Sequence, residues 1–65
     1  MQPISTYYGE NQYSDLLAKI FIEDDVPTIE FHKNKQLVAT RAFPEHTIQY
    51  VEDAAENYVL GILKL

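Results

Sequence analysis

Cysteine is absent from the sequence, which excludes a disulfide framework and a thiolate zinc site. The chain has 65 residues, and a domain of that size buries only about 60% of the surface that its unfolded chain exposes. Its stability must therefore come from one small hydrophobic core or from association with another protein. Hydrophobic residues make up 46% of the chain and charged residues 23%, a composition typical of folded globular domains.

Long apolar segments are absent as well. No stretch of the sequence approaches the roughly 20 apolar residues that a membrane-spanning helix requires. The amino terminus also lacks the basic start and the apolar stretch of a signal peptide. We therefore expect a cytoplasmic protein that does not bind a membrane.

Basic residues are scarce. Five lysine and arginine residues stand against ten aspartate and glutamate residues, which gives a formal net charge of -5. A charge of this sign repels phosphate backbones, whereas it attracts basic protein surfaces. We therefore expect a protein partner or self-association, and no direct binding of nucleic acid.

Glycine is limited to two positions, Gly9 and Gly61, so the chain cannot form a glycine-rich phosphate-binding loop. The acidic run from Glu23 to Asp25 lacks the spaced oxygen ligands and the central glycine of a calcium loop. Such a run is typical of a solvated turn.

The two histidines are expected to lie apart. His32 belongs to the outer face of a predicted strand, with Glu30 beside it, and His46 lies at the start of a predicted helix. Two histidines are too few ligands for a zinc site, and no nucleophile is placed beside a base. We expect no enzymatic activity, no cofactor and no metal.

Hydrophobic periodicity predicts an α+β fold, a three-stranded antiparallel meander packed against one C-terminal helix (β-β-β-α). We expect strands at residues 16–23, 28–33 and 37–43 and a helix at 45–63, in one domain over residues 15–65. Residues 1–14 are polar, without sustained periodicity, and are expected to form an N-terminal arm.

The register of the third strand has two alternatives. A two-residue turn at Asn34 and Lys35 places His32 opposite Leu37. That register turns one set of side chains inward: Val38, Thr40 and Ala42. A three-residue loop shifts the pairing by one residue and turns the other set inward: Leu37, Ala39 and Phe43.

The helix is expected to begin at Pro44, as a first-turn proline, or at Thr47, as an N-cap. Its apolar residues recur at helical spacing. Together with the strands they predict an inward set that includes Ile20, Ile22, Ile29, Phe31, Val51, Ala55 and Val59.

Apolar side chains also occur at positions that should face solvent. On the outer sheet face we expect a patch formed by Leu17, Phe21 and Leu37 and rimmed by Lys19, Glu30 and Arg41. If Gly61 lies within the helix, it predicts that another segment packs closely against the helix backbone, on the face that also carries Ala54. That face could serve a partner, or the amino-terminal tyrosines could cover it.

The segment from Val26 onward resembles the carboxy-terminal half of thioredoxin-like domains. The matching residues are Val26-Pro27-Thr28, Lys33-Asn34-Lys35 and Leu37-Val38-Ala39-Thr40-Arg41. The resemblance implies a truncated thioredoxin-like domain without redox activity, because the redox cysteines and the first βαβ unit are missing.

The closing segment Tyr50-Val51-Glu52-Asp53-Ala54-Ala55-Glu56-Asn57-Tyr58-Val59-Leu60-Gly61 resembles the final helices of small acidic uncharacterised tailed-phage proteins. Such proteins often bind a host or a phage protein. The resemblance implies a small phage accessory or host-modulating protein that acts in the host cytoplasm.

These observations predict a non-enzymatic protein-binding module. Phe21, Leu37 and Leu60 are the expected apolar anchors, since a core this small should leave them partly uncovered. Glu52, Asp53 and Glu56 are expected to steer a basic partner, which would also relieve the repulsion between Glu52 and Glu56, four residues apart. The alternative is a subunit that self-assembles through a free sheet edge or through its helix end.

Overall fold

Strand order in the sheet follows chain order, β1-β2-β3-β4, with every neighbouring pair antiparallel. The computed structural model describes residues 2–64. Its elements are β1 (Ser5–Tyr8), a short 3₁₀ turn (Asn11–Tyr13), β2 (Leu16–Glu23), β3 (Val26–Lys33), β4 (Gln36–Ala42) and α1 (Ile48–Val59). The α+β class predicted from the sequence is therefore confirmed.

The prediction of three strands is wrong, because a fourth strand, β1, lies in the segment expected to be an arm. It pairs with β2 from Ser5 opposite Ile20 to Tyr8 opposite Leu17. Threonine and tyrosine favour extended backbone, and an edge strand needs only one hydrogen-bonded neighbour. A polar segment without apolar alternation can therefore complete a sheet.

The two hairpin turns that connect the three longer strands contain no glycine. Asp24 and Asp25 have φ of 51° and 66°, and Asn34 and Lys35 have φ of 53° and 66°. Positive φ at both central residues defines a type I′ turn, whose twist matches that of the flanking strands. Aspartate and asparagine tolerate this conformation better than most residues do.

The register of β4 combines features of both predicted alternatives. The turn has two residues and His32 lies opposite Leu37, but a bulge then places Phe31 opposite Ala39. Val38 is the extra residue of that bulge, so Ala39 takes the inward position instead of Val38. The Tyr58 hydroxyl donates a hydrogen bond of 3.1 Å to the His32 carbonyl oxygen beside the bulge.

The core lies between α1 and the first three strands. Its largest fully buried side chains are Phe31, Ile20, Ile29 and Val51, and the Tyr58 ring meets the Phe31 ring edge-on at 4.8 Å between centroids. The predicted inward set is buried except for Ile22, which is 38% exposed. Ile22 lies opposite Pro27 next to the turn, at the end of the sheet.

The helix is shorter than predicted. Thr47 is its N-cap, with the side-chain oxygen accepting a hydrogen bond from the Tyr50 N–H at 3.2 Å. Gly61 ends it with φ of 80°, as its N–H bonds the Tyr58 carbonyl and the Ile62 N–H bonds the Asn57 carbonyl. These two bonds form a Schellman motif, so Gly61 lies beyond the helix and shares no helical face with Ala54.

Within residues 2–64, no helix is long and apolar enough to cross a membrane.

Candidate functional site

Tyr13 joins the amino-terminal segment to the end of α1. The two glycines of the chain, Gly9 and Gly61, both lie against it. A β-carbon at Gly9 would overlap the Tyr13 backbone, and a β-carbon at Gly61 would overlap the Tyr13 ring. The segment that follows β1 is thus packed on the helix end.

A groove of about 580 Å³ opens between this segment and α1. Its volume lies within the range of ligand-binding clefts. The residues that line it include Tyr7, Tyr8, Tyr13, Glu10, Glu56 and Leu60. Of these, Tyr8 lies opposite Leu17 in the sheet, so its side chain faces the side of the sheet away from α1. We call these six residues the tyrosine groove.

The tyrosine groove is negatively charged. Among the residues that the structure describes, Glu10 and Glu56 line it, and no lysine or arginine does. The only contact between a carboxylate and a basic side chain within residues 2–64 joins Glu30 Oε1 to His32 Nε2 at 3.3 Å, so neither groove carboxylate has a basic partner there. Burial, followed by the charges of Glu52 and Glu56, raises the pKa of Tyr7 above its ordinary value of 10.0.

The predicted acidic residues surround this groove to different extents. Glu56 lines it and is exposed. Glu52, one turn earlier, is half-buried and accepts a long hydrogen bond of 3.4 Å from the Ser5 hydroxyl. Asp53 is exposed on the helix, and its charge also raises the pKa of Tyr7, though less than burial, Glu52 and Glu56 do.

The predicted apolar anchors do not come together. Leu60 lines the tyrosine groove and is 51% exposed. Leu37 is 56% exposed on β4, and Phe21 is only 9% exposed on β2. The expectation that Phe21 presents a large apolar surface is therefore wrong.

The patch predicted from Leu17, Phe21 and Leu37 is not continuous on the outer face of the sheet. Tyr8, Leu17, His32 and Leu37 form one row across the strands. The next row places Lys19 directly opposite Glu30, and this charged pair separates Leu17 from Phe21. Arg41 lies opposite Ile29, on the helix side of the sheet, so it does not rim this face as predicted.

The sequence analysis left open that the amino-terminal tyrosines cover the surface around Gly61, as Tyr13 does, but it did not predict the groove between their segment and α1. Tyr7, Tyr8, Tyr13 and Glu10 belong to a segment without periodicity, which gives no indication of where its side chains lie. A detectable signal was the pair of glycines: in a chain with so few, each marks a place where a side chain would not fit.

The histidines lie in separate settings. The His32 Nε2 atom is 3.3 Å from the Glu30 Oε1 atom, and the His46 ring stacks on the Tyr50 ring at 4.0 Å between centroids. Nowhere in residues 2–64 do three or more histidine and carboxylate side chains converge in a way that could hold a metal ion.

The chain matches no protein-family model, and neither curated proteins nor solved structures give a match. The resemblances to tailed-phage proteins and to thioredoxin-like domains therefore stay predictions.

Proposed function

We propose that this protein is a non-enzymatic binding module that recognises a basic region of another protein through the tyrosine groove and the acidic residues of α1 beside it. The observation that carries the proposal is the composition of the groove. Two carboxylates that have no basic partner within residues 2–64 lie in one concave surface with an exposed leucine.

Energetic arguments favour this surface over a simple solvated helix face. Leu60 is a large apolar side chain left half uncovered, and covering its exposed half stabilises a complex by about 1 kcal/mol, roughly half of the value for full burial. The surrounding carboxylates accelerate encounter with a basic surface and exclude acidic ones. Apolar anchoring with acidic steering is the combination predicted from the sequence.

Self-assembly through β4 is the second candidate, because α1 packs over β1, β2 and β3 and six of the seven β4 residues are exposed. Two features of β4 disfavour it. The bulge at Val38 interrupts a regular edge, and Arg41 carries a charge on the helix side of the sheet. Bulges and inward-facing charges are devices that protect edge strands against pairing.

A phage accessory role and a redox-inactive thioredoxin-like origin are narrower hypotheses. Both are consistent with a small module that has no cysteine and that works by contact. Each rests on the sequence resemblance alone.

Capture from a lysate of cells that express the protein tests the proposal with two matched double variants. Leu60→Ser with Glu56→Gln changes the groove, and Leu37→Ser with Glu45→Gln makes the same changes on β4 and in the loop before α1. The two leucines are almost equally exposed, at 51% and 56%. We expect the groove variant to lose the partner and the β4 variant to retain it.

Far-ultraviolet circular dichroism and urea unfolding confirm that each variant is folded before capture is compared. Loss of the partner only in the β4 variant, together with a smaller sedimentation coefficient, would favour self-assembly. Equal capture by both folded variants would reject the tyrosine groove as the contact surface.

A further inference from the structure

The tyrosine groove combines the two features that recognise an organic cation. Tyr7 and Tyr13 line it from the amino-terminal segment, with the Tyr7 side chain on the α1 side of the sheet. Glu10 lines it from the loop after β1, and Glu56 lines it from α1. A cation within about 6 Å of a tyrosine ring is attracted by the negative face of the ring, and carboxylates add direct charge attraction. We infer that the groove binds a lysine or arginine side chain of the partner protein.

This inference rests on the proposed function and adds the chemistry of recognition to it. Charge complementarity supports a basic occupant, because the residues that line the groove in the described part of the chain include carboxylates and no basic residue. An acidic or purely aliphatic segment would leave both carboxylates without a compensating charge. The occupant is therefore a basic side chain with an alkyl stem, which also covers Leu60.

The arrangement does not suit a metal ion. A divalent cation requires several oxygen ligands that converge within about 2–2.6 Å of one point. No group of three or more such side chains converges within residues 2–64. An ammonium or guanidinium group has no such requirement, since ring faces and separated carboxylates each stabilise it independently.

Tyr13 is held in place before any ligand arrives. Its backbone lies against Gly9 and its ring lies against Gly61, and the backbone N–H of Tyr13 bonds the Glu10 carbonyl at 2.9 Å. A receptor whose ring is already positioned loses less conformational entropy on binding. The tight packing of both glycines thus serves the site as well as the fold.

Nuclear magnetic resonance titration of the full chain with short peptides tests the inference. Three peptides of the form acetyl-Gly-Gly-X-Gly-Gly-amide carry lysine, arginine or norleucine at X, and norleucine keeps the alkyl stem without the charge. We expect the lysine or the arginine peptide to shift amide signals of residues 7–13 and 56–61. The norleucine peptide should leave these signals unchanged.

Matched variants locate the binding. Glu56→Gln removes a groove carboxylate, whereas Glu45→Gln removes an exposed carboxylate that does not line the groove. Tyr7→Leu removes the ring that faces α1, since Tyr7 lies opposite the core residue Ala18, and loss of one cation–π contact weakens binding by about 2- to 5-fold. Tyr8→Leu is the control for the ring, because Tyr8 lies opposite Leu17 on the outer face of the sheet. We expect Glu56→Gln and Tyr7→Leu to weaken binding of the basic peptide, and Glu45→Gln and Tyr8→Leu to leave it unchanged.

The outcomes separate the inference from the proposed function. No selective shift with either basic peptide, or equal weakening by Glu56→Gln and Glu45→Gln, would overturn cation recognition in the groove. If the partner is still lost from the Leu60→Ser, Glu56→Gln variant, the proposed function stands without this inference. Selective peptide binding in the groove with undiminished partner capture would instead support the inference and reject the proposed contact surface.

Discussion

The two edge strands of the sheet contrast in composition and in burial. β1 is short and polar, yet three of its four residues are partly buried. β4 carries Leu37 and Val38, yet six of its seven residues are exposed. The polar edge lies beneath α1 and the more apolar edge does not, so the position of the helix, not the hydrophobicity of the strand, decides which edge is covered.

The connections explain why the helix covers β1. The chain leaves β4 at Ala42, and the Phe43 N–H donates a hydrogen bond of 2.8 Å to the Pro27 carbonyl. This bond carries the backbone past the amino-terminal end of β3. α1 then runs over the middle of the sheet, where its buried residues meet Ile20, Ile29 and Phe31. Its end is held by Tyr13, in the connection between β1 and β2.

The largest expected effect compares one aliphatic side chain under the helix with one on β4. Ile20→Ala should cost about 2–5 kcal/mol, enough to unfold much of a domain this small. Leu37→Ala should cost less than about 0.5 kcal/mol, because Leu37 is exposed. Urea unfolding followed by circular dichroism measures both.

A milder core variant keeps this comparison measurable if Ile20→Ala does not fold. Ile20→Val should cost about 0.5–1.5 kcal/mol and should still exceed the effect of Leu37→Ala. A cost above about 1 kcal/mol for Leu37→Ala would mean that β4 is covered in solution, contrary to an open edge.

A smaller effect tests how the amino-terminal side is attached. Gly61→Ala should cost about 2 kcal/mol, because an L-residue in the left-handed region costs about 1–2 kcal/mol and the added methyl also overlaps the Tyr13 ring. In the double variant Tyr13→Ala, Gly61→Ala the overlap disappears. The losses in free energy of unfolding of the two single variants should therefore sum to more than the loss of the double variant.

Additive costs in this cycle would contradict a direct packing contact between Tyr13 and Gly61. Gly61→Asn serves as the control for backbone strain, because asparagine tolerates positive φ but still carries a β-carbon. It should retain the coupling to Tyr13 while lowering the strain.

The smallest effect concerns alkaline pH and the docking of β1 on the acidic helix. Burial and the nearby carboxylates raise the pKa of Tyr7 in the folded chain. Above about pH 10 the unfolded chain loses this proton while the folded chain retains it. Stability should therefore fall as pH rises through that region, and Tyr7→Phe should make the fall shallower.

Glu52→Gln provides the control for this prediction, since it removes one of the charges that raise the Tyr7 pKa. It should also make the fall shallower, but less than Tyr7→Phe does, because burial remains. Burial also raises the pKa of Tyr58, so some alkaline sensitivity should persist in both variants. Identical pH profiles for the wild type and Tyr7→Phe would contradict the docking of Tyr7 beside the helix.

The elements under the helix could be predicted from the sequence. Strict alternation from Leu16 to Glu23 predicted both ends of β2. Helical spacing predicted a helix at 45–63 with Pro44 and Thr47 as alternative starts, and the structure has the Thr47 alternative and an earlier end, at Val59. In both cases one buried face imposes a period on the sequence. Leu60 and Glu56, which prediction selected, also line the tyrosine groove.

What could not be predicted depends on contacts distant in sequence. The bulge at Val38 shifts β4 by one residue, which local alternation cannot reveal because β4 is exposed on both faces. Tyr13 contacts Gly61 from the other end of the chain, so the groove depends on tertiary packing. Gly61 was assigned to the helix interior because its role as a helix-ending residue depends on φ and not on apolar spacing.

The contact between Tyr13 and Gly61 also has a consequence for synthesis on the ribosome. The amino-terminal wall of the groove is made before the helix, while Gly61 is incorporated only after the whole sheet. The contact between Tyr13 and Gly61 can form only once residue 61 has left the exit tunnel. A nascent or proteolytically shortened chain that stops before this residue carries the side chains of the groove but lacks the contact that fixes Tyr13 against the helix end.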